Sequence, residues 1–520
     1  MNWRANATRS AARTARTLAV LAVCLAACRG SAAEPPRPNI LLVVVDDLGW
    51  AGVGYHDKSM VTPNLDRMAR EGTELRRFYV YPVCSPTRVA LLTGQMPRRF
   101  DVLSALHGAE PGMPKGLPTI PSVFKAAGYQ TTLIGKWHAG KATTPQQNGF
   151  DHFYGFLNAE VDYYTHAGRN GRIDWQRDGK TVTEDGYSTY LLADEAVGQI
   201  KARDKANPFY FQVCLNAPHD PLSAPADLVE KHKGKGEKPG LYAAVVEAMD
   251  AGIGRVLAAL DAEGIRDDTI VVFFSDNGAA PRDGASNAPL RFGKGSVYEG
   301  GIHTPALIRW PGKIAAGGTL TQPVCVQDLF PTLAAAAGVP MPRDAKIDGR
   351  SQWPAVARGK RTEREPFLVA SFDTALIDGD WKLIEFQDGK RALFDLEADL
   401  AERADQFANQ PAIAARLGAE LDALKKDLPP VKAARDGPFR PGPGTRPPAA
   451  DAPTPPPVRK AEAKSATPET FRPYQALWIP PLLEGKSFDL TLSKSSKSFW
   501  WLTRSSGYMG LPACGWRMRR

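Results

Sequence analysis

Four apolar runs constrain this chain more than any other feature. NILLVVV (39–45), TTLIG (131–135), FYFQVCL (209–215) and TIVVFF (269–274) are continuous, rich in β-branched and aromatic residues, and each gives way to polar residues. Runs of this length without alternation suit strands buried on both faces, the situation inside a parallel sheet covered by helices. Candidate helices separate them. TPNLDRMAREG offers Thr62 as N-cap, Pro63 at the first helical position and Gly72 as the stop. TIPSVFKAAG stops in the same way at Gly128, and LYAAVVEAMDAGIGRVLAALDAEG is a long amphipathic stretch. Strand alternating with helix predicts an α/β fold, a mostly parallel central sheet sandwiched by helices.

Such sheets bind ligands beyond the carboxyl ends of their strands. All four runs lead into reactive groups there. The first ends at Asp46 and Asp47, the second at Lys136 and His138, the third near His219, and the fourth at Asp276 and Asn277. One such cluster could be chance; four on one edge define a candidate site.

The character of the chain changes beyond residue 335. FLVAS, WKLIEF and ALFDL suit a small antiparallel sheet, and PAIAARLGAELDALKKDL a following helix. Residues 36–335 are therefore expected to form the catalytic domain, and 336–432 a smaller C-terminal α+β subdomain. Residues 433–520 begin with PFRPGPGTRPP and APTPPPV, the composition of a disordered linker, and end in a basic, aromatic tail containing KSFWWLTRSSGYMG. There are no internal repeats.

At the N-terminus, Arg13 and Arg16 precede LAVLAVCLAA, an apolar run too short to span a bilayer. It closes in LAAC (25–28), which resembles a bacterial lipobox with Cys28 as the lipidated first residue of the mature chain. Residues 1–28 thus read as a lipoprotein-type signal peptide, with cleavage to a soluble protein as the alternative. The expected location is periplasmic or at the cell surface, lipid-anchored to an outer membrane. The formal charge of +9 carries no message about nucleic acid. Residues 1–27 hold four Arg and no acid, and residues 433–520 hold fourteen Lys or Arg against six acids, so the body between them is mildly acidic. Six cysteines shrink quickly, because Cys24 leaves with the signal and Cys28 is the anchor. Cys214 lies within an apolar run, and the spacing of Cys84, Cys214, Cys325 and Cys514 suggests neither a disulfide framework nor a zinc site.

Cys84 stands in YPVCSPTR. Pro86 and the following TRVALLTG predict a helix that begins near Cys84 and stops at Gly94. Residue 84 would then sit at a helix N-terminus, where backbone N–H groups favour an anion, with Arg88 on the same face. A possible nucleophile, an anion cradle and a guanidinium meet in eight residues.

CSPTR resembles the Cys-x-Pro-x-Arg signature of the type I sulfatases, of the alkaline phosphatase superfamily fold. With VVVDDLGW before it and GKWH, APH and SDNG after it, the set stands in that family's order and spacing. The likeness runs from Asn39 to Asp405 and includes LFDLEADLAERAD, similar to a recurring family segment. The resemblance implies that Cys84 is oxidised to formylglycine by a maturation enzyme. It implies that Asp46, Asp47, Asp276, Asn277 and the modified residue 84 hold one Ca²⁺, an ion that takes oxygen ligands. It also implies that Lys136 and Lys294 contact sulfate, that His138 lies beside the aldehyde, and that His219 is the second active-site histidine. The activity implied is hydrolysis of a sulfate ester to an alcohol and inorganic sulfate, the substrate being a sulfated sugar or aryl sulfate.

GFDHFYGF with VDYYTH, SAPADL after APHDPL, and PLRFGKGSVYEGG resemble the arylsulfatase B, or N-acetylgalactosamine-4-sulfatase, type. His166 and Trp175 in this region read as structural. One departure is GGIHTP, where His303 takes a place that relatives often give to arginine. Two rival readings are a phosphodiesterase or phosphonate hydrolase of the same fold, and a catalytically silent lipoprotein that binds sulfated glycans.

Overall fold

The computed structural model describes residues 37–431; the expected signal segment with Cys28, and the linker and tail over 433–520, lie outside them. The large sheet has ten strands: β1 (Asn39–Val45), β2 (Thr73–Tyr79), β3 (Gln130–Lys136), β4 (His152–Phe156), β5 (Gln176–Arg177), β6 (Lys180–Thr181), β7 (Phe209–Cys214), β8 (Thr269–Ser275), β9 (Ala306–Arg309) and β10 (Gly318–Cys325). Their order across the sheet is β10-β2-β9-β8-β1-β7-β3-β4-β5-β6. The centre, from β8 through β1, β7 and β3 to β4, is parallel throughout. Antiparallel pairing enters at β9, which runs against both β2 and β8, and at the short β5 and β6.

The unbroken apolar runs are explained by this centre. Successive side chains of a strand point to opposite faces. Ile40, Leu42 and Val44 enter one core with Ile270, Val272 and Phe274, while Leu41, Val43 and Val45 enter the other with Val271 and Phe273. On the second face lie the long helix Glu237–Ala262, the helix Ser188–Ala202, and the helix Pro63–Glu71 through Leu65 and Met68. On the first lie the helices Cys84–Thr93, Ile120–Ala126 and Leu329–Ala336. The helix starts are chemically explicit. Thr119 and Ser122 form a reciprocal capping box before Ile120–Ala126. Thr62 precedes Pro63 as expected, but its hydroxyl serves other partners, accepting from the Gly54 amide at 2.7 Å and donating to Asp66 at 3.1 Å.

A second sheet of four antiparallel strands, β11 (Phe367–Ala370), β12 (Thr374–Asp378), β13 (Trp381–Glu385) and β14 (Arg391–Asp395), follows in sequence order. One face, with Val369, Ala375, Ile377, Ile384 and Phe394, joins the first core of the large sheet. The other, with Leu368, Leu376, Leu383 and Leu393, is covered by Leu417 and Leu421 of the helix Pro411–Lys425. No helix of the described residues is long and apolar enough to cross a membrane.

Charges also join the two sheets. Lys382 of β13 is wholly buried, with its Nζ 2.8 Å from Glu299 Oε1 and 2.9 Å from Glu402 Oε1. His303 Nδ1 donates to Glu299 Oε2 at 2.7 Å, and the Tyr79 hydroxyl donates to the same oxygen at 3.2 Å. Burial disfavours the charge on Glu299, but Lys382 and His303 outweigh it and hold this carboxyl at about 2. Glu402 goes the other way: burial, helped by the Glu299 charge and opposed by Lys382, lifts it from 4.5 to about 7. Between those two pH values the folded protein keeps a proton that the unfolded chain has released, so Glu402 costs stability as pH rises through that window. Glu402→Gln should therefore flatten the pH dependence of unfolding free energy between pH 4.5 and 7, by about 1–3 kcal/mol relative to wild type. Denaturant titrations of both proteins across that range would show it; parallel curves would refute it.

Candidate functional site

The sheet register sets the site. β1 and β8 run parallel with Val45 opposite Ser275, so Asp46–Asp47 and Asp276–Asn277 leave the sheet side by side. Asp47 does so with φ 68°, a left-handed conformation that non-glycine residues adopt only when held there. Leu48 N and Asn277 O both bind the Ser275 hydroxyl, at 2.9 Å each, which fastens the two turns together. Lys136 is the last residue of β3, and Gly135 before it has φ +100°. A Cβ on Gly135 would lie 1.9 Å from the Cys214 carbonyl oxygen, so only glycine permits β3 and β7 to approach there. His138 follows with φ 46°. Cys84 opens its helix, which ends at Gly94 in the left-handed conformation.

Every residue singled out from the sequence is buried: Asp46, Asp47, Cys84, Arg88, Lys136, His138, His219, Asp276, Asn277 and Lys294. Opposite charges make that tolerable. Lys136 Nζ pairs closely with Asp46. Lys294 Nζ reaches both Asp47 oxygens at 2.7 Å, and Asn277 Nδ2 donates to Asp47 Oδ1 at 2.6 Å. Arg88 Nη2 and Nε donate to Asp276 Oδ2 at 2.7 and 3.1 Å, and its Nη1 donates to the Lys136 carbonyl at 3.2 Å. Arg88, expected on the same helical face as Cys84, spends its guanidinium on a carboxylate and on the strand end that carries Lys136.

The electrostatics separate four neighbouring titratable groups. Burial opposes charge on Asp46, but Lys136, then His219, Arg88 and Lys294, hold its carboxyl far below the usual range. Asp276 moves up to about 6, because burial and the Asp46 charge outweigh Arg88 and Lys136. Burial raises the Cys84 thiol against the pull of Lys136 and Lys294. Burial and the Lys136 charge push His138 well below its ordinary value, so its ring is neutral. His138 Nε2 faces the Leu106 carbonyl at 2.8 Å and so carries the proton, leaving the buried Nδ1 as an acceptor with no partner.

The donor set fits a hard cation. Asp46 Oδ1 and Asn277 Oδ1 are buried without a hydrogen bond, a costly arrangement for oxygens unless something else engages them. Donor atoms of Asp46, Asp47 and His219 lie within 4.8 Å of one another, and His219 Nε2 is 3.8 Å from Asp47 Oδ2. Carboxylates and an amide oxygen suit calcium or magnesium rather than a thiolate-loving metal. Sequence reading placed His219 near this group without showing that it touches Asp47. It also missed Ser85, whose hydroxyl accepts from Leu106 N at 3.0 Å. Ser85 and His138 thus grip the two sides of one peptide residue, and the only sequence signal for this was the position of Ser85 next to Cys84. His166 and Trp175 stack on each other in the core at 4.5 Å, as structural residues do. His303 is held by Glu299 and by the Arg76 carbonyl.

Comparison with known proteins places this geometry. Residues 38–339 match the family profile described as Sulfatase, and residues 290–427 match N-sulphoglucosamine sulphohydrolase, C-terminal. Human N-acetylgalactosamine-6-sulfatase is 35% identical over 366 residues, covering 65% of this chain and 69% of the relative. Mouse arylsulfatase J is 32% identical over 364 residues, covering 66% and 60%. Among solved structures, that of Ps i-CgsB superposes with a TM-score of 0.72 at 33% identity, covering 76% of this chain and 94% of the other. A 6-sulfatase and an arylsulfatase stand together here, so the comparisons do not choose between a 4- and a 6-ester.

The Arg88–Asp276 pair yields a stability prediction. Removing one partner of a buried pair strands the other charge, at a cost of about 3–5 kcal/mol. Arg88→Ala should lose that much in denaturant unfolding, and Arg88→Asn/Asp276→Asn together should lose less than Arg88→Ala alone. Wild-type stability in Arg88→Ala would contradict the pairing.

Proposed function

From the premise that the chain belongs to the sulfatase family and is a sulfuric ester hydrolase, we propose that it cleaves the sulfate ester of a sulfated sugar at the cluster around Cys84. The observation that carries this is the convergence of a buried cysteine at a helix start, two buried lysines and an oxygen-rich pair of turns on one sheet edge. The human relative is named for N-acetylgalactosamine, and Ps i-CgsB has been solved in complex with k-i-k-neocarrahexaose, so a carbohydrate ester is the favoured substrate class.

In this reading Cys84 is converted to formylglycine by a maturation enzyme, and Ca²⁺ is held by Asp46, Asp47, Asp276, Asn277 and residue 84. When present, these groups supply a hydrated-aldehyde nucleophile and neutralisation of the sulfate charge. The chain's own residues do the rest. Lys136 and Lys294 place ammonium groups where sulfate oxygens gather charge, and the N-terminus of the Cys84–Thr93 helix adds its N–H groups. His219 gives a proton to the departing sugar oxygen. His138, neutral with Nδ1 free, accepts a proton at that atom. Arg88 holds Asp276 in place. Residues 36–335 would form the catalytic domain and 336–432 its smaller companion. Residues 1–28 would export the chain and leave it anchored through Cys28 in a bacterial envelope.

The test is sulfate release from sulfated N-acetylhexosamines, sulfated galactans and an aryl sulfate, with calcium, by wild type and Cys84→Ala. The expected loss is about 10³-fold or more; equal release would refute the assignment. Two readouts do not depend on turnover. The peptide spanning residue 84 should carry the mass of an aldehyde in place of a thiol. Calcium at about 100 times its Kd should add about 2.7 kcal/mol of stability to wild type and little to Asp46→Asn.

A further inference from the structure

The segment LFDLEADLAERAD contains Glu402, which the cluster around Cys84 leaves without a role. Glu402 is 0% exposed and has φ 53°, a conformation that its surroundings must impose. Its carboxylate accepts a hydrogen bond from the Glu299 amide at 2.5 Å, and its carbonyl accepts one from Arg291 Nη1 at 2.7 Å. Those two residues bracket the loop that carries Lys294. The loop is pinched shut at the same place, where Gly300 N donates to the Arg291 carbonyl at 2.9 Å.

The far side of the loop lies against the site. Lys294 N donates to Ala279 O at 3.1 Å, Gly295 N to Pro82 O at 2.7 Å, and Gly278 N to Gly301 O at 3.0 Å. The loop is thereby wedged between the turn after Asn277 and the residues that precede Cys84. Arg291 is further held by its guanidinium over the rings of Phe292 and Tyr298, at 5.0 and 4.6 Å. Lys382 fixes the clamp itself to β13 by pairing with both Glu299 and Glu402.

We propose that Glu402 is a positioning residue for sulfate-ester cleavage: it clamps the neck of the 291–300 loop and so sets where the Lys294 ammonium stands beside Asp47. The inference rests on the reading of Lys294 as a sulfate-contacting group. A loop held at both ends by one buried residue has little freedom to drift, and a displacement of about 1 Å at a reacting group can cost about 100-fold in rate.

A double-mutant cycle tests this, using the full chain, an aryl sulfate and calcium. Glu402→Ala should lower kcat/KM at least about tenfold in the wild-type background and less than about twofold in a Lys294→Ala background. Glu402→Gln, whose amide oxygen can still accept from Glu299 N, should restore most of the loss. The same loss in both backgrounds, or no loss in either, overturns the inference while leaving Lys294 in its role. Full activity of Lys294→Ala alone overturns the reading of Lys294, and this inference with it. If Glu402→Ala does not fold, Arg291→Ala opens the same neck from its other end, and the same cycle decides.

Discussion

Three carboxylates packed at the ends of two neighbouring strands can stay ionised only if cations are built in around them. Asp46, Asp47 and Asp276 are in that position, and the surroundings follow from it. Lys136 arrives on β3, Lys294 on a loop and Arg88 on a helix, each matched to one carboxylate. Lys136 and Lys294 are thus the groups that allow Asp46 and Asp47 to be buried together. Site and scaffold share their charges.

The same arrangement explains why the backbone is distorted where it is. Asp47 and His138 have left-handed φ angles, and Gly135 tolerates a contact no side chain could. Asp47 and His138 lie just past the ends of central strands, and Gly135 is the next-to-last residue of β3, where the chain must turn sharply and still present a functional group. Strain concentrated there, with regular strands behind it, is the pattern expected of a preorganised site.

The sequence made the centre of this structure readable because burial on both faces leaves a distinctive pattern. β1, β3, β7 and β8 were each visible as unbroken apolar runs, and the helix at Cys84 was visible from its Pro and Gly punctuation. The flanks were not. TELRRFY of β2 mixes charges into the strand, ALIR of β9 is too short to signal, and β10 contains Pro323. That proline is admitted because β10 is an edge strand whose register shifts between Leu320 and Pro323. Site residues at strand ends could be named from sequence, but their pairings could not. Arg88 with Asp276, or Lys382 with Glu299 and Glu402, join residues far apart in the chain, and each alone looks like a solvated surface charge. The family match agrees with the sulfatase reading; conversion of Cys84 is the observation that separates it from a silent binder.

The strand order also governs timing. β1 comes first in the chain, yet its neighbours are β7 and β8, residues 209–214 and 269–275. β2 waits for β9 and β10, which end at Cys325. Pairings this distant in sequence form slowly, because a long loop must close before any contact rewards it. Until most of the polypeptide has been made, the segment around residue 84 has no core to enter. Once the sheet closes, that thiol is 1% exposed. Any enzyme that acts on Cys84 must therefore meet a nascent or unfolded chain, and the topology of the sheet is what gives it the time.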